Sequence, residues 1–124
     1  MEYPDNLKYS VEHEWLAADG TVGITAFAVE QIGDIVFVEL PAVGTAVSAG
    51  KPFGVIESVK AVSELFAPAS GKIVAINESL GDAPETVAND CYGAGWLVKI
   101  EPSNPDEILA LRNSADYQAM IAAS

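Results

Sequence analysis

The stretch from Phe53 to Asn77, FGVIESVKAVSELFAPASGKIVAIN, constrains the chain more than any other. An apolar run at Gly54-Val55-Ile56 and a second at Leu65-Phe66 enclose a link of small and β-branched residues, Ser58-Val59 and Ala61-Val62-Ser63. Two β-rich runs with a short link between them read as a β-hairpin. Lys60 lies in the middle of the link, at the most exposed point of such a hairpin, where an enzyme can reach and modify it. Glu57 and Glu64 flank the segment. A second turn is expected at Pro68-Ala69-Ser70-Gly71, and Lys72-Ile73-Val74-Ala75-Ile76 returns as a strand. A lysine on an exposed turn carries no functional signal by itself.

The chain around this hairpin is short and acidic. At 124 residues, half of them hydrophobic, it is long enough for one domain with one core. The 18 acidic residues against 6 basic ones give a formal net charge of −12. Such a surface repels nucleic acid and anionic lipid and suits basic patches on other proteins, although acidity also simply keeps a small protein in solution. The single cysteine, Cys91, allows no internal disulfide, which fits a reducing compartment. No run approaches the roughly 20 apolar residues of a membrane span. The start, Met1-Glu2-Tyr3-Pro4-Asp5, lacks the features of a signal or transit peptide. A bacterial cytoplasmic protein is expected, or a mitochondrial matrix protein if the chain is a processed eukaryotic one.

Along the chain, Tyr9 and Val11 alternate with polar residues as in a half-buried strand. Asp19-Gly20 predicts a two-residue hairpin turn. Thr25 caps a short helix from Ala26 to Ile32 that Gly33 stops. Asp34 to Leu40 is a strand whose apolar run Ile35-Val36-Phe37-Val38 predicts burial on both faces. Thr45-Ala46-Val47 is a short strand. Glu78 to Asp90 is a loop with a helical turn near Pro84 to Val87, Pro84 favouring the first helical position. Trp96, Val98 and Ile100 share one face of a strand. Asn104, Pro105 and Glu107 form a helix start with a capping box. Ser114 caps a last helix through Ile121, with Tyr117, Met120 and Ile121 on its apolar side. Short strands at regular spacing predict a mainly-β sandwich or flattened barrel with helices at its margins. Gly44 to Glu57 and Ala67 to Asn77 look like two halves related by approximate symmetry.

Catalytic groups are scarce. His13 lies between Glu12 and Glu14, but alternation along a strand would put both carboxylates on the face opposite the imidazole. One His and one Cys far apart do not make a metal site. Gly93-Ala94-Gly95 lacks the helix that a phosphate loop needs. Cys91 has nothing nearby to lower its pKa and is expected to pack rather than react. The residues alone describe a protein that is not an enzyme.

Glu57-Ser58-Val59-Lys60-Ala61-Val62-Ser63-Glu64, followed by Pro68-Ala69-Ser70-Gly71, closely resembles the lipoyl-attachment hairpin of the glycine cleavage H-protein family. Ser10-Val11-Glu12-His13-Glu14-Trp15, Gly23-Ile24-Thr25, Gly33 to Pro41 (GDIVFVELP) and Tyr92-Gly93-Ala94-Gly95-Trp96-Leu97 resemble the same family, so the likeness covers nearly the whole chain. It implies a barrel-sandwich hybrid fold with short peripheral and C-terminal helices. It also implies one lipoyl-carrier domain over residues 1–124, with a core at about 7–101 and a helical segment at about 104–122.

For function, the resemblance implies lipoic acid in amide linkage to Lys60, which removes one positive charge. The arm would carry the aminomethyl group of glycine from the pyridoxal-phosphate decarboxylase, glycine dehydrogenase (P protein), to the aminomethyltransferase (T protein). Dihydrolipoamide dehydrogenase (L protein) would then reoxidise it, and lipoate-attaching enzymes would load Lys60. By position Glu12, Glu14 and Glu64 would line a cleft for the arm, and Glu14 is expected to be dispensable for stability. Glu12 stands where Ser is common in the family, Glu64 replaces an Asp, and Cys91 replaces a Pro. A monomer is expected. The alternatives are an H-like protein that relays lipoyl groups, a lipoyl or biotinyl domain of another complex, and an unmodified interaction module. Val59 and Ala61 in place of Met argue against biotin.

Overall fold

A computed structural model describes residues 2–123; Met1, where the leader expectation begins, lies outside them. The described residues form nine short strands and four short α-helices. The strands are β1 (Lys8–Tyr9), β2 (Glu14–Leu16), β3 (Thr21–Ile24), β4 (Ile35–Glu39), β5 (Ala46–Val47), β6 (Pro52–Ser58), β7 (Val62–Phe66), β8 (Gly71–Ile76) and β9 (Val98–Pro102). The helices are α1 (Ala26–Ile32), α2 (Thr86–Asn89), α3 (Pro105–Leu109) and α4 (Ser114–Ala122). A six-stranded sheet runs β1-β2-β3-β9-β8-β5 and a three-stranded one runs β4-β6-β7; every pairing is antiparallel. This is the mainly-β sandwich expected, with helices at its margins. β5 and β8, one from each of the two similar segments, pair with each other.

The inward residues of both sheets meet in one core. Leu16, Val22, Ile24, Ile73, Val98 and Ile100 come from the larger sheet, and Ile35, Val38, Phe53, Ile56 and Leu65 from the smaller. Antiparallel sheets with one solvated face need only alternate positions to be apolar. A second cluster lies under α4: Leu7, Tyr9, Trp15 and Tyr117. Trp96 packs there, and not with Val98 and Ile100 as strand alternation predicts, because β9 begins only at Val98.

Several local expectations are corrected. Val36 and Phe37 are exposed, since β4 belongs to the three-stranded sheet and bulges between Ile35 and Phe37. Val11 is exposed because β1 stops at Tyr9. The Asp19-Gly20 turn is a three-residue loop, Ala18 to Gly20, closed by Ala17 and Thr21. Pro84 precedes α2 rather than opening it, and an unforeseen 3-10 turn forms at Glu78–Gly81. Asn104 caps α3, but Glu107 closes no capping box; its carboxylate accepts from the Ser70 N–H and hydroxyl, 2.9 Å each. Asn113, not Ser114, caps α4, and the Ser114 hydroxyl instead donates to the Tyr3 carbonyl.

Trp15 shows how tightly the larger sheet is fixed. Its indole N–H is shared between the Ile24 and Cys91 carbonyls, at 3.1 and 3.0 Å. The ring lies across Gly23, its cross-strand partner, where a Cβ would meet Trp15 Cζ2 at 2.5 Å. Neither the ladder nor the pinned ring can give way. Gly23→Ala is therefore expected to lower the unfolding free energy by about 2 kcal/mol or more, read from urea denaturation. A loss within about 0.5 kcal/mol would show that the ring is free to move.

Candidate functional site

Lys60 stands at the tip formed by β6 and β7. Glu57 pairs with Val62, and the Ser58 N–H donates to the Ala61 carbonyl at 2.8 Å, which leaves Val59 and Lys60 as a two-residue loop. Tight hairpin turns usually need positive φ and therefore glycine or asparagine. Neither loop residue here has a positive φ. The Ser58 hydroxyl closes the turn instead, accepting from the Ala61 N–H at 3.1 Å. The Val59 N–H donates to the Asp34 carbonyl at 3.1 Å, tying the tip to the start of β4. Lys60 is exposed and forms no ion pair among the described residues; the bridge they contain is Lys99–Asp19.

The stem of Lys60 lies over the end of α1. A Cβ on Gly33 would sit 3.5 Å from Lys60 Cε and 3.9 Å from Nζ. Gly33, at φ 84° and ψ −144°, takes a conformation that side chains resist, and its N–H accepts the role of helix stop by donating to the Val29 carbonyl. Beyond it, one face of α1 (Phe27, Ala28, Gln31, Ile32) forms a wall of a cleft of about 240 Å³. The opposite wall holds Glu12, His13 and Glu14 from the start of β2, with Ser63, Glu64 and Leu65 from β7. All three glutamates singled out in the sequence thus line one cleft. A wider groove, about 350 Å³, runs between Tyr9–Glu12 and the end of α3 and shares Glu12 alone with it.

The three glutamates are physically unlike. Glu12 and Glu64 are exposed. Glu14 is 2% exposed and is the sole charged residue among the buried ones described. The Ser10 hydroxyl donates to its Oε1 at 2.8 Å, and the Phe66 N–H donates to its Oε2 at 3.2 Å. Burial outweighs these bonds and pushes its pKa up from the ordinary 4.5 to about 8. Glu14 is thus a structural link between the two sheets, which revises the dispensability expected of it.

His13 also departs from expectation. It is not in a strand: its φ is 73°, β2 begins one residue later, and both neighbouring carboxylates share the cleft with its ring. Nδ1 lies 2.7 Å from the Tyr117 hydroxyl, and the ring packs against Phe27 with centroids 4.8 Å apart. Desolvation lowers its pKa despite Glu12 nearby. Cys91 packs, as expected; burial pushes its thiol up to about 11. The apolar wall of α1, Ser10 and Tyr117 were not foreseen as parts of this site. The amphipathic spacing of Phe27 and Gln31 was the available signal for the first; nothing local marks the other two.

The buried carboxyl makes stability depend on pH. A raised folded pKa means that the native state holds more protons than the unfolded chain between about 4.5 and 8. Stability is therefore fullest below the unfolded value and falls as pH rises through the window, by up to about 1.4 kcal/mol per pH unit. Glu14→Gln removes this dependence but also replaces one acceptor oxygen by a donor, a cost of about 1 to 2 kcal/mol. In urea unfolding the variant should be less stable than the wild type at pH 5, and the gap should close towards pH 8. A constant gap would mean that Glu14 ionises normally.

Comparison with known proteins bears on this geometry. The sequence pattern described as Glycine cleavage H-protein matches residues 7–124. The chain is 53% identical over 124 residues to the glycine cleavage system H protein of Anaeromyxobacter sp. (strain K), covering 98% of this chain and 97% of that one. It is 54% identical over 121 residues to that of Myxococcus xanthus (strain DK1622), covering 95% and 94%. The crystal structure of a glycine cleavage system H protein from Mycobacterium marinum superposes with a TM-score of 0.87 at 44% identity, covering 97% of this chain and 99% of that one. The chain belongs to the glycine cleavage H-protein family.

Proposed function

We propose that Lys60 is the lysine that bears the lipoyl group of this chain. As a family member the chain is a lipoyl carrier of the glycine cleavage system, a cofactor-bearing subunit and not an enzyme. Proteins of the family carry lipoate covalently on a lysine. The observation that supports Lys60 is its place: an exposed amine on a two-residue loop, with no carboxylate partner among the described residues. Lys8 and Lys72 lie within strands, Lys99 pairs with Asp19, and Lys51 sits at the base of the hairpin.

The surroundings fit a long apolar arm with a cationic end. The cleft offers Phe27, Ile32 and Leu65 as apolar wall and Glu12, Glu14 and Glu64 as acceptors, and Lys60 lies at the end of α1 that forms one side of it. When attached, the lipoyl group supplies the redox and group-carrying chemistry. The chain's own part is to present the amine, shelter the arm and hold negative charge beside an ammonium. Without a cation, Glu14 is largely neutral at pH 7; an ammonium docked beside it would favour its ionised form. In this reading the partners are glycine dehydrogenase (P protein), aminomethyltransferase (T protein), dihydrolipoamide dehydrogenase (L protein) and the lipoate-attaching enzymes. The chain would act as a monomer in the cytoplasm, as one domain. None of its described helices is long and apolar enough to cross a membrane.

Peptide mass mapping after incubation with lipoate, ATP and a lipoate-attaching enzyme tests the assignment. All label is expected on Lys60 and none on Lys60→Ala. Moving the lysine to position 59 or 61 should abolish labelling and leave the fold intact, because a shift of one residue turns the side chain away from its place in the loop. Label on Lys51 or Lys72 would refute the assignment. Normal labelling of the shifted variants would show that presentation by the loop is unimportant.

A further inference from the structure

We propose that the outer face of the three-stranded sheet, centred on Phe37 and Val62, is the surface on which the lipoate-attaching enzyme docks. The inference rests on the assignment of Lys60. Phe37 pairs with Glu57, and Glu57 pairs with Val62, so the three side chains form one cross-strand row. The next outward row is Glu39, Val55 and Glu64. Between the rows Val38 and Ile56 point into the core. Phe37 is 48% exposed and Val62 65%, and the bulge in β4 leaves Val36 exposed beside them. An edge strand that turns two large apolar residues outward is unusual unless something covers them.

Three features identify the occupant. The first is continuity with the tip: Ile35 pairs with Ser58 and the Val59 N–H donates to the Asp34 carbonyl, so the apolar row begins immediately below Lys60. The second is reach. An enzyme that acylates the bare amine must bring Lys60 into its own active site at the length of a four-methylene stem, so its surface has to close on the face beside the tip. Proteins that act on the far end of a lipoyl arm have no such need. The third is charge. Glu39, Glu57 and Glu64 have no cationic partner among the described residues, so an unneutralised carboxylate sits between Phe37 and Val62 and two more lie in the next row. A complementary surface is apolar with a basic rim. A second copy of this chain, at a formal net charge of −12, would be repelled.

Recognition therefore extends beyond the hairpin to β4, which lies more than twenty residues earlier in the sequence. The test uses the full unmodified chain with lipoate, ATP and a purified lipoate-attaching enzyme, and reads the initial rate of mass gain at limiting substrate. Phe37→Ser and Val36→Ser are expected to lower kcat/KM about tenfold, while urea curves show both still fully folded under the assay conditions. The wild-type rate should fall as salt is raised. Val74→Ser, an exposed valine of the other sheet, is expected to behave as wild type. Acylation of Phe37→Ser on Lys60 at the wild-type rate would overturn the docking face and leave the Lys60 assignment standing. An equal loss in Val74→Ser would overturn it too. Label on another lysine would remove the assignment and the docking face together.

Discussion

One buried carboxyl group ties the two sheets together beside the cleft. Glu14 opens a strand of the larger sheet, and its Oε2 accepts from the Phe66 N–H at the end of a strand of the smaller one. Its other oxygen accepts from Ser10, whose hydroxyl also receives the Glu14 N–H at 3.1 Å. Burying a charged carboxylate costs several kcal/mol, and the group lowers that cost by taking up a proton readily, with the Ser10 and Phe66 donors each serving one oxygen. The bonds fix the distance between the sheets beside the cleft. The left-handed residue just before it, His13 at φ 73°, is the local strain this arrangement requires. Without that kink Glu12, His13 and Glu14 would alternate between faces and could not share one cleft.

The C-terminal helix completes the same device from outside. Tyr117 stacks on Tyr9 with centroids 4.8 Å apart, and its hydroxyl lies 2.8 Å from Thr25 Oγ1 and 2.7 Å from His13 Nδ1. Thr25 Oγ1 already accepts the Ala28 N–H, the cap of α1. One phenol thereby ties together the start of β2, the cap of the helix that walls the cleft, and the helix that ends the chain.

Much of this was legible in the sequence where local chemistry decides the outcome. The lysine hairpin, the Thr25 cap, the Gly33 stop and the Asn104 cap all form, because each is decided by residues within a turn of one another. Expectations failed where a distant partner competes. Glu107 abandons its own helix for the Ser70 backbone, thirty-seven residues away, and Ser114 leaves the capping of α4 to Asn113 to reach Tyr3. The apolar run of β4 looked like a buried strand because four apolar residues in a row cannot show a bulge. The resemblance to a family placed Glu12, Glu14 and Glu64 together; nothing in their spacing told that one is buried in the core edge and two lie in water.

The bulge in β4 illustrates how stability and presentation are divided between the sheets. The larger sheet has the ordinary logic of a core, with a pinned tryptophan and no exposed aromatic on its paired strands. The smaller sheet has only three strands, and its middle one carries the tip. A two-residue loop without glycine is unfavourable as a free hairpin, so its geometry must be imposed from its sides. Asp34 does this on one side through Val59, and the Ile35–Ser58 pair does so next to it. After that pair β4 has an extra residue, and the bulge absorbs it without shifting the tip. Ile35 and Val38 can then both stay in the core while the lysine keeps its register. The side chains displaced by this solution are Val36 and Phe37, which places apolar surface on the sheet that carries the exposed Lys60 amine.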